Sequence, residues 1–153
     1  MGMSVIPSGG ILFRDEELKR MVSFKVSYLS GEETYQSTIT GTRPGASVIS
    51  TWALFRYLGV EGYKKVVERC IRLTEYFFNR VRKLEGLEPV IKPVMNIVGI
   101  RPNSIPCRDL EMKLRERRWG ISSFGEFLRV VIGPHVKKKD LELFLKDLSE
   151  ILS

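Results

Sequence analysis

Histidine and cysteine are nearly missing from this chain of 153 residues. One His and two distant Cys, Cys70 and Cys107, offer neither zinc-ligand spacing nor a disulfide framework, so no metal centre is expected. Long apolar runs are missing too, so no bilayer-spanning segment is expected. Residues 1–10 lack the basic stretch and apolar core of a secretory signal, and the expected setting is cytoplasmic and reducing. Acidic residues are in deficit, 18 against 25 basic ones, for a net charge of +7. That excess raises the question of nucleic acid. However, Glu is interleaved with Lys and Arg along predicted helices, as in Lys64-Lys65-Val66-Val67-Glu68-Arg69, and no nucleic-acid-binding motif occurs. A solvated basic surface is the simpler reading. Repeats and low-complexity segments are absent. What is present is 43% apolar residues, enough to bury the core of one domain or of a large part of one.

The densest polar signal is residues 38–47, Thr-Ile-Thr-Gly-Thr-Arg-Pro-Gly-Ala-Ser, directly ahead of an apolar, helix-compatible run. Gly41 and Gly45 permit a bend or a close approach to a ligand. Thr40, Thr42, Ser47 and Arg43 place hydroxyls and a guanidinium before a helix start, an arrangement that suits a phosphate. A polar turn with a Ser/Thr cap is the alternative. No Gly-Lys-Ser/Thr follows, which argues against a P-loop and a nucleoside triphosphate.

Along the chain, Ile11-Leu12-Phe13 is predicted as a short buried strand and residues 15–21 as a helix with acidic residues in its first turn. Phe24, Val26 and Tyr28 alternate onto one side of an extended segment, and residues 30–37 read as a mobile loop. A helix is predicted over about 46–58, closed by Gly59. A longer one over about 61–84 carries Tyr63, Val66, Val67, Cys70, Ile71, Thr74, Phe77, Phe78, Val81 and Leu84 as one wide stripe, with Cys70 as a small core residue. Strands follow at 87–91 and 94–100. A helix then starts at Pro106 and runs to about 118, with Gly120 as its stop. Strands at 121–124 and 127–132 flank a Gly125-Glu126 turn, and a last helix spans 140–152. This order predicts an α+β layer, an antiparallel sheet covered by helices.

Arg129 is the odd residue of the apolar strand Phe127-Leu128-Arg129-Val130-Val131-Ile132. Alternation puts it with Phe127 and Val131 on one face, and Leu128, Val130 and Ile132 on the other. Three readings stay open: an internal ion pair with Asp or Glu, a grip on a ligand carboxylate, or an open sheet face from which the guanidinium reaches water.

Taken together, these residues resemble the C-terminal part of the pyridoxal-phosphate-dependent amino-acid decarboxylases of the glutamate/aromatic type, most closely the archaeal tyrosine/aspartate decarboxylases. The likeness covers essentially the whole chain. It rests on four landmarks in order: residues 1–14, Tyr28-Leu29, the Gly41-Thr42-Arg43-Pro44-Gly45 turn and Arg129. It implies the small C-terminal domain of the fold-type I transferase fold, residues 59–153. This is preceded by residues 1–58, the last strand and helix of the large cofactor-binding domain. It implies pyridoxal 5'-phosphate as cofactor, a small amino acid (tyrosine, aspartate or glutamate) as substrate, and a homodimer or complementary decarboxylase chain as partner. By resemblance, Thr42 reaches the cofactor phosphate of the neighbouring subunit. Tyr28 returns a proton to the substrate after carbon dioxide leaves, against the alternative of an aromatic packed at a strand end. Arg129 holds the substrate α-carboxylate, while His135 is a loop residue with no chemical role. The family's Schiff-base lysine would fall one place before Met1. The expectation is therefore a segment inactive alone, or else a non-catalytic module that docks on another chain.

Overall fold

A computed structural model describes residues 3–26, 34–39 and 44–152. Contacts divide the chain near residue 58, with Met3–Tyr57 forming one compact unit and Leu58–Ser153 most of the other.

In the first unit, α1 (Glu16–Met21) starts where Asp15 caps it, its carboxylate accepting from the Leu18 amide at 2.9 Å, with Glu16 and Glu17 in the first turn. Strands β1 (Phe24–Val26) and β2 (Thr34–Gln36) pair antiparallel, with Lys25 opposite Tyr35. The alternation is real only in part, since Val26 is buried and Phe24 is exposed. Part of the predicted 30–37 loop is the strand β2, because backbone pairing with β1 overrides a polar composition. Residues 11–13 are irregular rather than a buried strand, with Leu12 99% exposed. An apolar run becomes a strand only when a neighbouring strand takes its backbone hydrogen bonds, and none of the described strands does so here. Of the described residues up to Tyr57, only Val26 and Ser47 are buried.

The helix α2 (Gly45–Val81) is interrupted at Gly59, whose backbone (φ 58°, ψ −171°) is not helical. Thus the two predicted helices are real, and the break falls on the predicted glycine. Beyond Gly59 the apolar stripe buries Cys70, Thr74, Phe77 and Val81, spaced by four, three and four residues. The Thr74 hydroxyl is satisfied by the Cys70 carbonyl at 2.8 Å.

The second unit holds β3 (Leu87–Pro89), β4 (Ile97–Pro102), α3 (Cys107–Glu116), β5 (Ser122–Phe124), β6 (Phe127–Val131) and α4 (Lys138–Leu152). Its sheet has the order β3-β4-β6-β5, antiparallel throughout. One face is core: Val98 and Ile100 of β4 and Leu128 and Val130 of β6 pack with Phe77 and Val81 of α2, Leu110 and Leu114 of α3, and the Leu141, Phe144, Leu145, Leu148 stripe of α4. Each large apolar side chain buried there contributes about 1.5–3 kcal/mol. The opposite face carries Arg129 and Val131 exposed.

The end of α3 departs from expectation. Arg118, not Gly120, takes the left-handed conformation at φ 68°. The Arg118 amide donates to the Arg115 carbonyl and the Trp119 amide to the Leu114 carbonyl, each at 2.9 Å, which together form a Schellman cap. The Trp119 indole then reaches Asp147 of α4 at 2.6 Å, so side-chain packing decides which residue turns.

Candidate active site

Three residues carry the chemistry expected from the sequence. Tyr28 and Thr42 lie outside the described residues, as do Gly41 and Arg43. Gly45 opens α2, and nearby the Ser47 hydroxyl donates to the Pro44 carbonyl at 3.2 Å.

Arg129 sits in the middle of β6, opposite Gly99 of β4 and Ser122 of β5. Its side chain is exposed on the open sheet face, which leaves the ligand carboxylate and the reach to water as the open readings. Among the described residues no carboxylate forms an ion pair with it, so the internal ion pair is set aside. The guanidinium carbon lies 4.4 Å from the centroid of the Phe124 ring, a cation–π stack. The strand is therefore not covered on both faces by this chain, and the charge carries no burial penalty.

Arg101 shares that face by alternation along β4 and is held differently. Its Nη1 meets Glu88 at 3.2 Å and its Nη2 lies 3.8 Å from Glu126. Beside β6 runs a groove of about 440 Å³, bordered by Arg129, Trp119, Ile121, His135, Val136 and Phe144. His135, read from sequence as an uninvolved loop residue, lies on its rim. The groove had no sequence signal, because its border is assembled from separate elements: Trp119 and Ile121, Arg129 of β6, His135 and Val136, and Phe144 of α4.

Two carboxylates anchor this region. Glu111 accepts from the Ser123 amide at 2.9 Å and from the Ser123 hydroxyl, and these bonds hold its carboxyl below the usual range. Asp147 is lowered likewise, first by the Trp119 indole and then by Arg117 at 2.8 Å. Burial pushes the Cys107 thiol up, with the neighbouring Glu111 charge adding to it. Every lysine of the chain is exposed. None has the enclosed setting in which a lysine amine forms a lasting imine with a carbonyl cofactor, so the described residues do not complete such a site.

A family model described as the pyridoxal-dependent decarboxylase conserved domain matches residues 1–102. The L-aspartate/L-glutamate decarboxylase of Pyrococcus horikoshii is 44% identical over 153 residues, covering 100% of this chain and 39% of that protein. A probable L-tyrosine/L-aspartate decarboxylase of Methanothrix thermoacetophila is 41% identical, covering 99% of this chain and 39% of the relative. The chain thus spans about two fifths of the length of these relatives. Among solved structures, the sphingosine-1-phosphate lyase of Burkholderia pseudomallei superimposes with a TM-score of 0.75 at 25% identity, over 90% of this chain and 32% of that one. The glutamate decarboxylase of Lactobacillus brevis superimposes with a TM-score of 0.67 at 19% identity, over 86% of this chain and 33% of that one. No helix among the described residues is long and apolar enough to cross a membrane. The sheet with its helices on one face is that of the C-terminal part of the fold-type I enzymes, and the chain belongs to the pyridoxal-dependent decarboxylase family.

Proposed function

We propose that this chain is the C-terminal segment of an amino-acid decarboxylase acting on aspartate, glutamate or tyrosine, with pyridoxal 5'-phosphate as the cofactor of the complete assembly. The observation that carries the reading is Arg129, a guanidinium on an open sheet face, stacked on Phe124 and in no ion pair with a carboxylate of the described residues. Such a group suits two parallel hydrogen bonds to a substrate α-carboxylate. Thr42 is assigned to the cofactor phosphate of a neighbouring subunit. Tyr28 is assigned the proton that replaces carbon dioxide on the substrate carbon, a transfer that needs water kept out. Residues 1–58 are assigned to the large domain and residues 59–153 to the small one. The working form is a homodimer or a complex with a complementary chain.

Because every lysine is exposed, no step through the cofactor is assigned to this chain alone, and it is expected to be inactive by itself. A second reading, a non-catalytic module that docks on another decarboxylase chain, is favoured by the exposed Ile49, Trp52 and Phe55 at the start of α2. One experiment separates the two. Purified chain is incubated with cofactor and each amino acid, alone and after mixing with the upstream segment of the Pyrococcus horikoshii relative. No carbon dioxide alone and sustained release from the mixture supports the first reading. A stable, inactive complex supports the second. Sustained release by the isolated chain overturns the inactivity.

A further inference from the structure

A guanidinium that must bind an incoming carboxylate has to be held still without spending its N–H donors. Arg101 and Arg129, on the same sheet face, show the two ways of holding one. Arg101 is tied through its donors, to Glu88 and Glu126. Arg129 is held through its flat face, 4.4 Å above the ring of Phe124. An aromatic face attracts the cation while leaving the in-plane N–H fork unused.

The surroundings single out Phe124 as the holder. Directly across from Arg129, β4 presents Gly99, which has no side chain, and β5 presents the small Ser122. Phe124 is the diagonal neighbour on that face, within reach for an aromatic ring. The ring has a second contact. It stacks on Phe127 at 6.3 Å with an interplanar angle of 25°, across the two-residue turn where Gly125 takes φ 61°. Its neighbour Ser123 is tethered to Glu111 of α3 through both amide and hydroxyl. We infer that Phe124 is a positioning residue, which orients the Arg129 guanidinium so that its donor edge is presented to a substrate carboxylate. This rests on the assignment of Arg129 made under Proposed function.

The test uses the full chain labelled with ¹⁵N and L-aspartate as the probe, titrated at constant ionic strength. In the wild type, the Arg129 Nε–H proton is expected upfield from the ring current of Phe124, and aspartate is expected to move the Gly99 and Ser122 amide resonances. Phe124→Leu should lose the upfield shift and weaken aspartate about two- to fivefold. Phe124→Tyr should restore both. Phe124→Trp keeps an aromatic face and should bind at least as tightly as the wild type. Arg129→Lys should abolish the aspartate response. If Arg129→Lys abolishes it while Phe124→Leu binds as the wild type does, the inference on Phe124 fails and the assignment of Arg129 stands. Weakening in Phe124→Trp to the level of Phe124→Leu also overturns the inference. Absence of an aspartate response in the wild type, or its survival in Arg129→Lys, overturns the assignment of Arg129 and the inference with it.

Discussion

Asp147 ties α4 to the end of α3 through one carboxylate, accepting from the Trp119 indole at 2.6 Å and from Arg117 at 2.8 Å. Arg117 also reaches Glu150 at 2.6 Å, and these partners hold its own pKa above the ordinary arginine value. Glu111 plays a similar part for Ser123. Both carboxyls have folded pKa values below their ordinary ones. Their contribution to stability is therefore fully present above the ordinary carboxylate range, roughly pH 4, and is lost as pH falls through the lowered folded values. Thermal unfolding is expected to shift to lower temperature between pH 6 and pH 3. Asp147→Asn and Glu111→Gln should lower the midpoint at pH 6 and flatten that acid dependence. An unchanged slope in both variants would remove the two carboxylates from the account. None of this was legible in the sequence, where residues 111, 123 and 147 carry no local pattern: Glu111 meets Ser123 only because α3 packs on β5, and Asp147 meets Arg117 and Trp119 only because α4 packs on the end of α3. Arg129 differs. Its place within an apolar strand marked it out, but setting the internal ion pair aside needed the open face.

At the scale of elements, helices were legible where a stripe of steps of three and four had a clear end. The break at Gly59, the start of α3 after Pro106 and the α4 stripe all follow from residue chemistry that acts locally. The stop at Arg118 does not, because a non-glycine in the left-handed region is held there by what Trp119 reaches. These two positions give opposite expectations. Gly59→Ala meets no neighbour within 4 Å, so its cost is backbone strain alone, about 1–3 kcal/mol. Arg118→Gly relieves a left-handed side chain and should stabilise by up to about 1 kcal/mol. Urea unfolding of the two variants checks both signs.

At the scale of the molecule, the two units differ in what they bury. The second has a continuous core. In the first, Ile11, Leu12, Ile49, Trp52 and Phe55 are exposed. Exposed apolar residues of this kind lead us to expect that another chain covers them. Light scattering of the isolated chain is expected to show dimers or larger species rather than a monomer. Trp52→Lys and Phe55→Lys together should lower the associated fraction, whereas a monodisperse monomer in the unmodified chain would count against association.

By itself the sequence determined the antiparallel α+β layer, the helix stripes, the family and the identity of Arg129 as the strand's exceptional residue. Periodicity and turn chemistry act over a few residues, and a family motif is carried by neighbours in the chain. Tertiary structure alone decided that residues 11–13 find no sheet, that Arg118 ends its helix, and that Arg129 rests on an aromatic ring. Each of those outcomes depends on which distant segment supplies the hydrogen bond, the packing surface or the counter-face, and that is settled only when the chain closes on itself.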